Sequence, residues 1–233
     1  MISKNKIKLI RSLETRKGRE KAGLFIAEGP KVVGDLQTAG FHAEMIIDDE
    51  ADVRLVTQLQ HPQGIVGIFH MPEMYESTAP DTSKLSLALD GVQDPGNVGT
   101  IIRIADWFGI EEIYCSRQTA DCWSPKVVQA TMGSIARVKV HYTDLEALTD
   151  SLPDNFPVYG TLLEGKDIYQ SELSGKGLIV MGNEGNGITE AIRRRITKPL
   201  LIPNYPRGRE TADSLNVAIA TAITCAEFRR RMA

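Results

Sequence analysis

Apolar positions along this chain follow two rhythms. From Lys4 to Leu13 they recur every three to four residues (Ile7, Ile10, Leu13) with lysines between them, the spacing of an amphipathic helix. Elsewhere they gather into short runs: Leu24–Ala27, Met45–Ile47, Gly64–Phe69, Ser86–Leu89, Glu112–Ser116, Arg137–His141, Val158–Leu162, Leu178–Met181 and Leu200–Ile202. Runs of this length predict strands, and those that do not alternate predict central strands covered on both faces. Helices are predicted at Lys31–Ala39, Thr100–Phe108, Lys126–Ile135 and Leu145–Leu152, and from Ser214 towards the C-terminus. Ser124-Pro125 supplies the third of these with an N-cap and a proline at the first helical position. Arg16–Lys21 reads as a basic turn. Met71–Lys84, with three acids, two prolines and no periodicity, reads as a linker. The boundary therefore falls near Pro80, between a small α/β unit (1–80) and a larger one (81–233). Strand and helix alternate through the larger unit, which predicts an α/β fold with a mostly parallel sheet and helices on both faces.

Candidate chemistry collects where three strands end. Leu178–Met181 opens into Gly182-Asn183-Glu184-Gly185-Asn186-Gly187, and Leu200–Ile202 opens into a polar loop ending in Ser214-Leu215-Asn216. In open α/β sheets, ligands bind beyond the carboxyl ends of the strands, so two such loops suggest one site. The plainer readings are an ordinary turn cluster and a helix N-cap at Ser214. No Lys-Ser/Thr pair follows the glycines, and the G-x-G-x-x-G spacing is absent, so the loop is neither a P-loop nor a dinucleotide fingerprint. After Ser86–Leu89 comes Asp90-Gly91-Val92-Gln93-Asp94-Pro95-Gly96-Asn97-Val98-Gly99. If the next helix starts at Thr100, Arg103 stands in its first turn, against the dipole. Such a conflict is expected at functional sites, unless Asp94 or Glu184 is its charge partner.

Composition narrows the class. The 233 residues are 42% hydrophobic and 24% charged, as in a globular protein. No apolar run approaches the ~20 residues that span a bilayer, and no apolar segment follows the basic Met1–Ile10, so no secretion signal is expected. Cys115, Cys122 and Cys225 form no C-x-x-C pair and suit reduced thiols in a cytoplasmic protein. The four histidines lack metal-ligand spacing, so no metal is expected. The net charge of −3 conceals an uneven distribution: residues 1–21 carry +6 and residues 193–233 carry +6, leaving −15 for the middle. Phosphate binding responds to such local patches, which makes Arg16, Lys17 and Arg19 candidate contacts to nucleic-acid phosphate.

Asp90–Ala105 resembles the first signature motif of the SpoU (TrmH) class of RNA ribose methyltransferases. Ile179–Ile188 resembles the second motif, and Leu201–Ala220, with its Ser-Leu-Asn core, the third. Phe25–Lys31 and Pro62–Phe69 resemble the family's substrate-binding domain, so the likeness covers nearly the whole chain. It implies a SPOUT-type α/β methyltransferase domain with a C-terminal trefoil knot, preceded by a small α/β RNA-binding-like domain. It also implies a homodimer that binds S-adenosylmethionine and methylates a ribose 2′-hydroxyl of structured RNA, ribosomal in preference to transfer RNA. By matched position the catalytic group is Asn97, Arg103, Glu184, Ser214 and Asn216, with Glu184 a candidate partner for Arg103. Thr161, Leu162, Gly182, Ile202, Pro203 and Leu215 would line the cofactor pocket. Two departures from the family pattern stand out. The loop before Ser214 carries extra residues (Arg207, Arg209, Glu210), and the first domain is shorter than expected between Ile47 and Leu59, where a strand and helix usually fit. The rival readings are a non-catalytic RNA-binding protein that keeps the fold and a nucleotide-dependent enzyme on a doubly wound sheet.

Overall fold

The computed structural model describes every residue except 73–79, 207, 208, 210, 211, 213 and 233. The middle of the expected linker, with Arg207 and Glu210, thus lies outside the described residues.

The first part of the chain runs α1 (Lys4–Ser12), α2 (Arg16–Ala22), β1 (Leu24–Glu28), α3 (Pro30–Thr38), β2 (Ala43–Ile47), α4 (Glu50–Val56) and β3 (Val66–His70). Its strands form an antiparallel sheet of order β1-β3-β2. One expectation fails here because of an overlooked cap. Arg16–Lys21 is a helix and not a turn, because the Thr15 hydroxyl accepts from Gly18 N and Gly23 closes the other end at φ 65°. The short stretch between Ile47 and Leu59 holds a helix, α4, where Asp49 accepts from Asp52 N, and no strand among the described residues.

The second part contains β4 (Leu85–Asp90), α5 (Pro95–Trp107), β5 (Glu112–Cys115), α6 (Pro125–Ala130), β6 (Lys139–Tyr142), α7 (Leu145–Asp150), β7 (Val158–Asp167), β8 (Gly177–Gly182), α8 (Glu190–Arg193), β9 (Lys198–Leu201) and α9 (Val217–Arg230). Its six strands pair in parallel throughout, in the order β6-β5-β4-β8-β7-β9. Alternate residues of a strand face opposite ways. Leu87 and Leu89 of β4 accordingly pack with Ile101, Val127 and Phe228 under α5, α6 and α9. Ala88 instead joins Leu145, Leu148 and Ile192 under α7 and α8. The Ser124 cap and Pro125 of α6 are as expected, but α6 stops at Ala130, where Met132 (φ 52°) and Gly133 (φ 96°) turn the chain.

The same alternation joins the two parts. Leu24 and Ile26 of β1 face Ile10, Leu13 and Val53 of their own unit. Phe25 and Ala27 face the other way, into one apolar cluster with Cys122, Val127 and Val128 of the second. Phe25 lies 4.6 Å from Trp123, ring centre to ring centre.

Candidate active site

Three loops leave the carboxyl ends of β4, β8 and β9, and their backbones brace one another. Asp90, almost fully buried, accepts from Thr189 N at 2.7 Å. Asn183 donates to Gly91 O at 2.7 Å, while its Oδ1 accepts from Gly185 N and Asn186 N at 2.9 and 3.0 Å. The loop then closes through paired Asn183 and Gly187 backbones, with Gly187 at φ 69°. A Cβ on Gly182 would collide with the backbone of Gly187 and Ile188, so the glycine at 182 lets the loop fold back on its own strand.

Beneath these loops lies a cavity of about 400 Å³. Of the expected cofactor residues, Thr161, Leu162, Gly182, Ile202 and Leu215 line it. Pro203 is not among its lining residues. The floor includes Met181 and Leu200, and the α9 side includes Val217 and Ala220. β7 makes room by leaving its register with β9 between Thr161 and Lys166. In that excursion a Cβ on Gly165 would strike the Leu200 backbone, so this crossing too requires glycine. Glu164, from the excursion, pairs with Arg193 of α8 at the cavity wall. Sequence reasoning missed Asn183 as a brace and the Glu164–Arg193 pair. Asn183 stood inside a quoted motif, whereas nothing in the sequence placed Glu164 opposite Arg193.

The polar residues expected to be catalytic divide into two groups. Asn97 in the first turn of α5, Glu184 in the loop after β8 and Asn216 at the N-cap of α9 meet in one chain of hydrogen bonds. Asn216 Nδ2 donates to Asn97 Oδ1 at 2.9 Å, and Asn97 Nδ2 donates to Glu184 Oε1 at 2.9 Å. Each residue is held by its own backbone context. Asp94 caps α5 by accepting from Asn97 N at 2.8 Å. Asn216, not Ser214, caps α9, accepting from Ala218 N and Ile219 N. Ser214 lines the cavity instead.

Arg103 departs from expectation. Because α5 begins at Pro95 and not at Thr100, Arg103 lies in the third turn, where the conflict with the dipole disappears. Glu184 pairs with Asn97 and not with Arg103, and Asp94 is engaged as the cap. The Arg103 guanidinium is exposed and has no hydrogen bond or ion pair among the described residues. It is not among the residues lining the cavity.

The basic candidates divide as well. Arg16 and Lys17 are exposed, with Arg16 paired to Glu20 at 2.8 Å. Arg19 is 3% exposed and unavailable to a phosphate. Its Nη1 donates to Leu13 O and Glu14 O at 2.7 and 3.0 Å, and its Nη2 to Asp121 at 2.5 Å. Lys8 and Lys21, both exposed, face each other across a cleft of about 460 Å³ between α1 and α2.

Residues 84–226 match the SpoU rRNA Methylase family, and residues 4–68 match the MRM3-like substrate binding domain. The chain belongs to the SpoU methylase family. The 23S rRNA (guanosine(2553)-2′-O)-methyltransferase RlmP of Bacillus subtilis is 32% identical, with 96% of each chain covered. The human mitochondrial rRNA methyltransferase 3 is 30% identical over 70% of this chain and 46% of its own length. Among solved structures, an rRNA methyltransferase from Sinorhizobium meliloti with AdoMet bound superposes with a TM-score of 0.88 at 30% identity. That match covers 100% of this chain and 97% of the other.

Proposed function

We propose that the protein transfers a methyl group from S-adenosylmethionine to a ribose 2′-hydroxyl of ribosomal RNA. The observation that carries this reading is the Asn216–Asn97–Glu184 hydrogen-bond chain, which joins all three motifs beside the cavity. The chemistry is an in-line displacement, so donor and hydroxyl must be held aligned.

The cavity residues suit the cofactor. A pocket of this size is in the range that accepts small-molecule ligands. Leu162, Ile202, Leu215 and Val217 offer apolar surface, and Glu184 offers negative charge to a cationic ligand, the charge of Glu164 being taken by Arg193. Bound there, S-adenosylmethionine supplies an electrophilic methyl group. Asn97, fixed from both sides, orients the ribose. Ser214 and Asn216, just ahead of α9, hold the nucleotide at the end of the helix whose dipole favours an anion. Arg103 anchors the adjacent phosphate and stabilises charge on the attacking oxygen, since a guanidinium stays protonated and is a poor base.

The active form is a homodimer. Ile219, Ala222, Ile223 and Ala226 form an apolar stripe on the outer side of α9, at helical spacing. Trp107 of neighbouring α5 is 84% exposed. Pairing across this face would put Arg103 at the boundary between protomers. Residues 1–80 form the RNA-binding domain and 81–233 the methyltransferase domain with its knot. Arg16, Lys17 and the Lys8–Lys21 cleft take RNA phosphates. The test is transfer of labelled methyl groups to ribosomal and transfer RNA from cells lacking the gene. Incorporation into ribosomal RNA is expected, and its absence from both RNAs refutes the reading.

A further inference from the structure

Arg19 is a cation withdrawn from water between two units of the chain, and it neither contacts the cavity nor faces solvent. A buried guanidinium persists only where its charge is balanced and most of its donors are taken. Here Leu13 O and Glu14 O take Nη1, and Asp121, 102 residues away in the loop after β5, takes Nη2 and balances the charge, while Nε has no partner among the described residues. Those bonds tie the α1–α2 turn to the methyltransferase sheet. Asp121 also accepts from Trp123 N at 2.9 Å, and that indole packs on Phe25 and Phe41 of the first unit. On the far side of the interface, Arg137 spans Asp35 and Asp106, one from each unit, at 3.1 and 2.8 Å. Units joined by a small polar contact move relative to one another; a shared apolar core with buried ion pairing resists this.

We propose that Arg19 and Asp121 are positioning residues. They hold the basic α1–α2 surface at a fixed distance and angle from the methyl-transfer centre, so that the protein selects its nucleotide by the span of RNA between a gripped phosphate and the reacting ribose. This rests on the function proposed above. It explains why one arginine of a strongly basic segment, Arg19, is buried while Lys8, Arg16, Lys17 and Lys21 around it are exposed. It also places selectivity outside the cavity, in a joint that touches neither cofactor nor RNA.

The test uses the full chain. Because Cys115, Cys122 and Cys225 are all buried, spin labels can be directed to Glu20→Cys on α2 and Lys176→Cys before β8, diluted with unlabelled protein. The expected result is one narrow distance distribution, broadened by Asp121→Ala. In the same variant S-adenosylmethionine affinity should be unchanged and RNA affinity within about threefold. The kcat/KM for the target RNA should fall at least tenfold, with methylation appearing at neighbouring nucleotides. A distribution that stays narrow overturns the proposal, as does a broadened one with unchanged site selection. If Asp121→Ala does not fold, Asp121→Asn, which removes the charge and keeps a hydrogen-bond acceptor for Arg19, is read in the same way. Wild-type protein that methylates no RNA removes the proposed function and the selectivity argument together. The distance measurement would still report whether the joint is rigid.

Discussion

Asn216 performs two tasks that substitution can separate. Its Oδ1 accepts from Ala218 N and Ile219 N, capping α9, while its Nδ2 donates to Asn97. Asn216→Ala removes both. Loss of a cap costs about 0.5–2 kcal/mol, and the exposed hydrogen bond adds about 0.5–1.5 kcal/mol. For a chain of this size each kcal/mol moves the melting temperature by about 2–4 °C, so a fall of roughly 2–14 °C is expected. Asn216→Asp keeps the acceptor, favoured by the helix dipole, and loses only the bond to Asn97, so it should melt about 1–6 °C below wild type and above Asn216→Ala. It has no N–H for Asn97 Oδ1, so Asn97 loses one of its two tethers. Turnover should fall roughly tenfold or more, equivalent to about 1.4 kcal/mol of transition-state stabilisation. Calorimetric melting and single-turnover methyl transfer on both variants separate the tasks. Wild-type turnover in a stable Asn216→Asp protein would refute the role given to the Asn97 bridge.

Gly182→Val drives a side chain into the backbone of Gly187 and Ile188, so cofactor affinity should drop at least tenfold by titration calorimetry, with about 1–3 kcal/mol of overpacking. Arg103→Ala should leave that affinity intact and lower turnover by roughly 10²–10⁴-fold, read under saturating cofactor. Lys17→Ala with Lys21→Ala should weaken RNA binding and flatten its dependence on log salt by about one to two units. Arg230 and Arg231 hold the Glu227 carboxyl down to about 2, against 4.5 ordinarily. That stabilisation is therefore complete above about pH 4.5 and is lost as pH falls towards 2. Glu227→Gln should lower the melting temperature at pH 7 and flatten its decline over that acid range.

The sequence carried its information unevenly. Strands were legible because continuous apolar runs such as Leu178–Met181 have few other fates than a covered parallel sheet. Caps were the weak point. Thr15 and Asp49 start helices that carry little apolar periodicity, and Asp94 starts α5 five residues before its apolar face becomes visible. That offset misplaced Arg103 and created a dipole conflict that does not exist. Most of the cavity lining could be read because it follows strand ends in order, whereas the Glu164–Arg193 pair depends on how far β7 leaves its register. Arg19 shows the limit of charge patterning. A basic run marks a surface, but only the packing of β1 against Trp123 determines which of its cations is buried.

The central claim is the atom that receives the methyl group. Ribosomal RNA from cells lacking the gene, treated with the protein and labelled S-adenosylmethionine, can be digested to nucleosides and resolved by mass. The account predicts label in one 2′-O-methylated nucleoside, in a dinucleotide resistant to alkali, and its appearance at least about a hundredfold more slowly with Arg103→Ala. Label on a base, or none in RNA that the protein demonstrably binds, would contradict it.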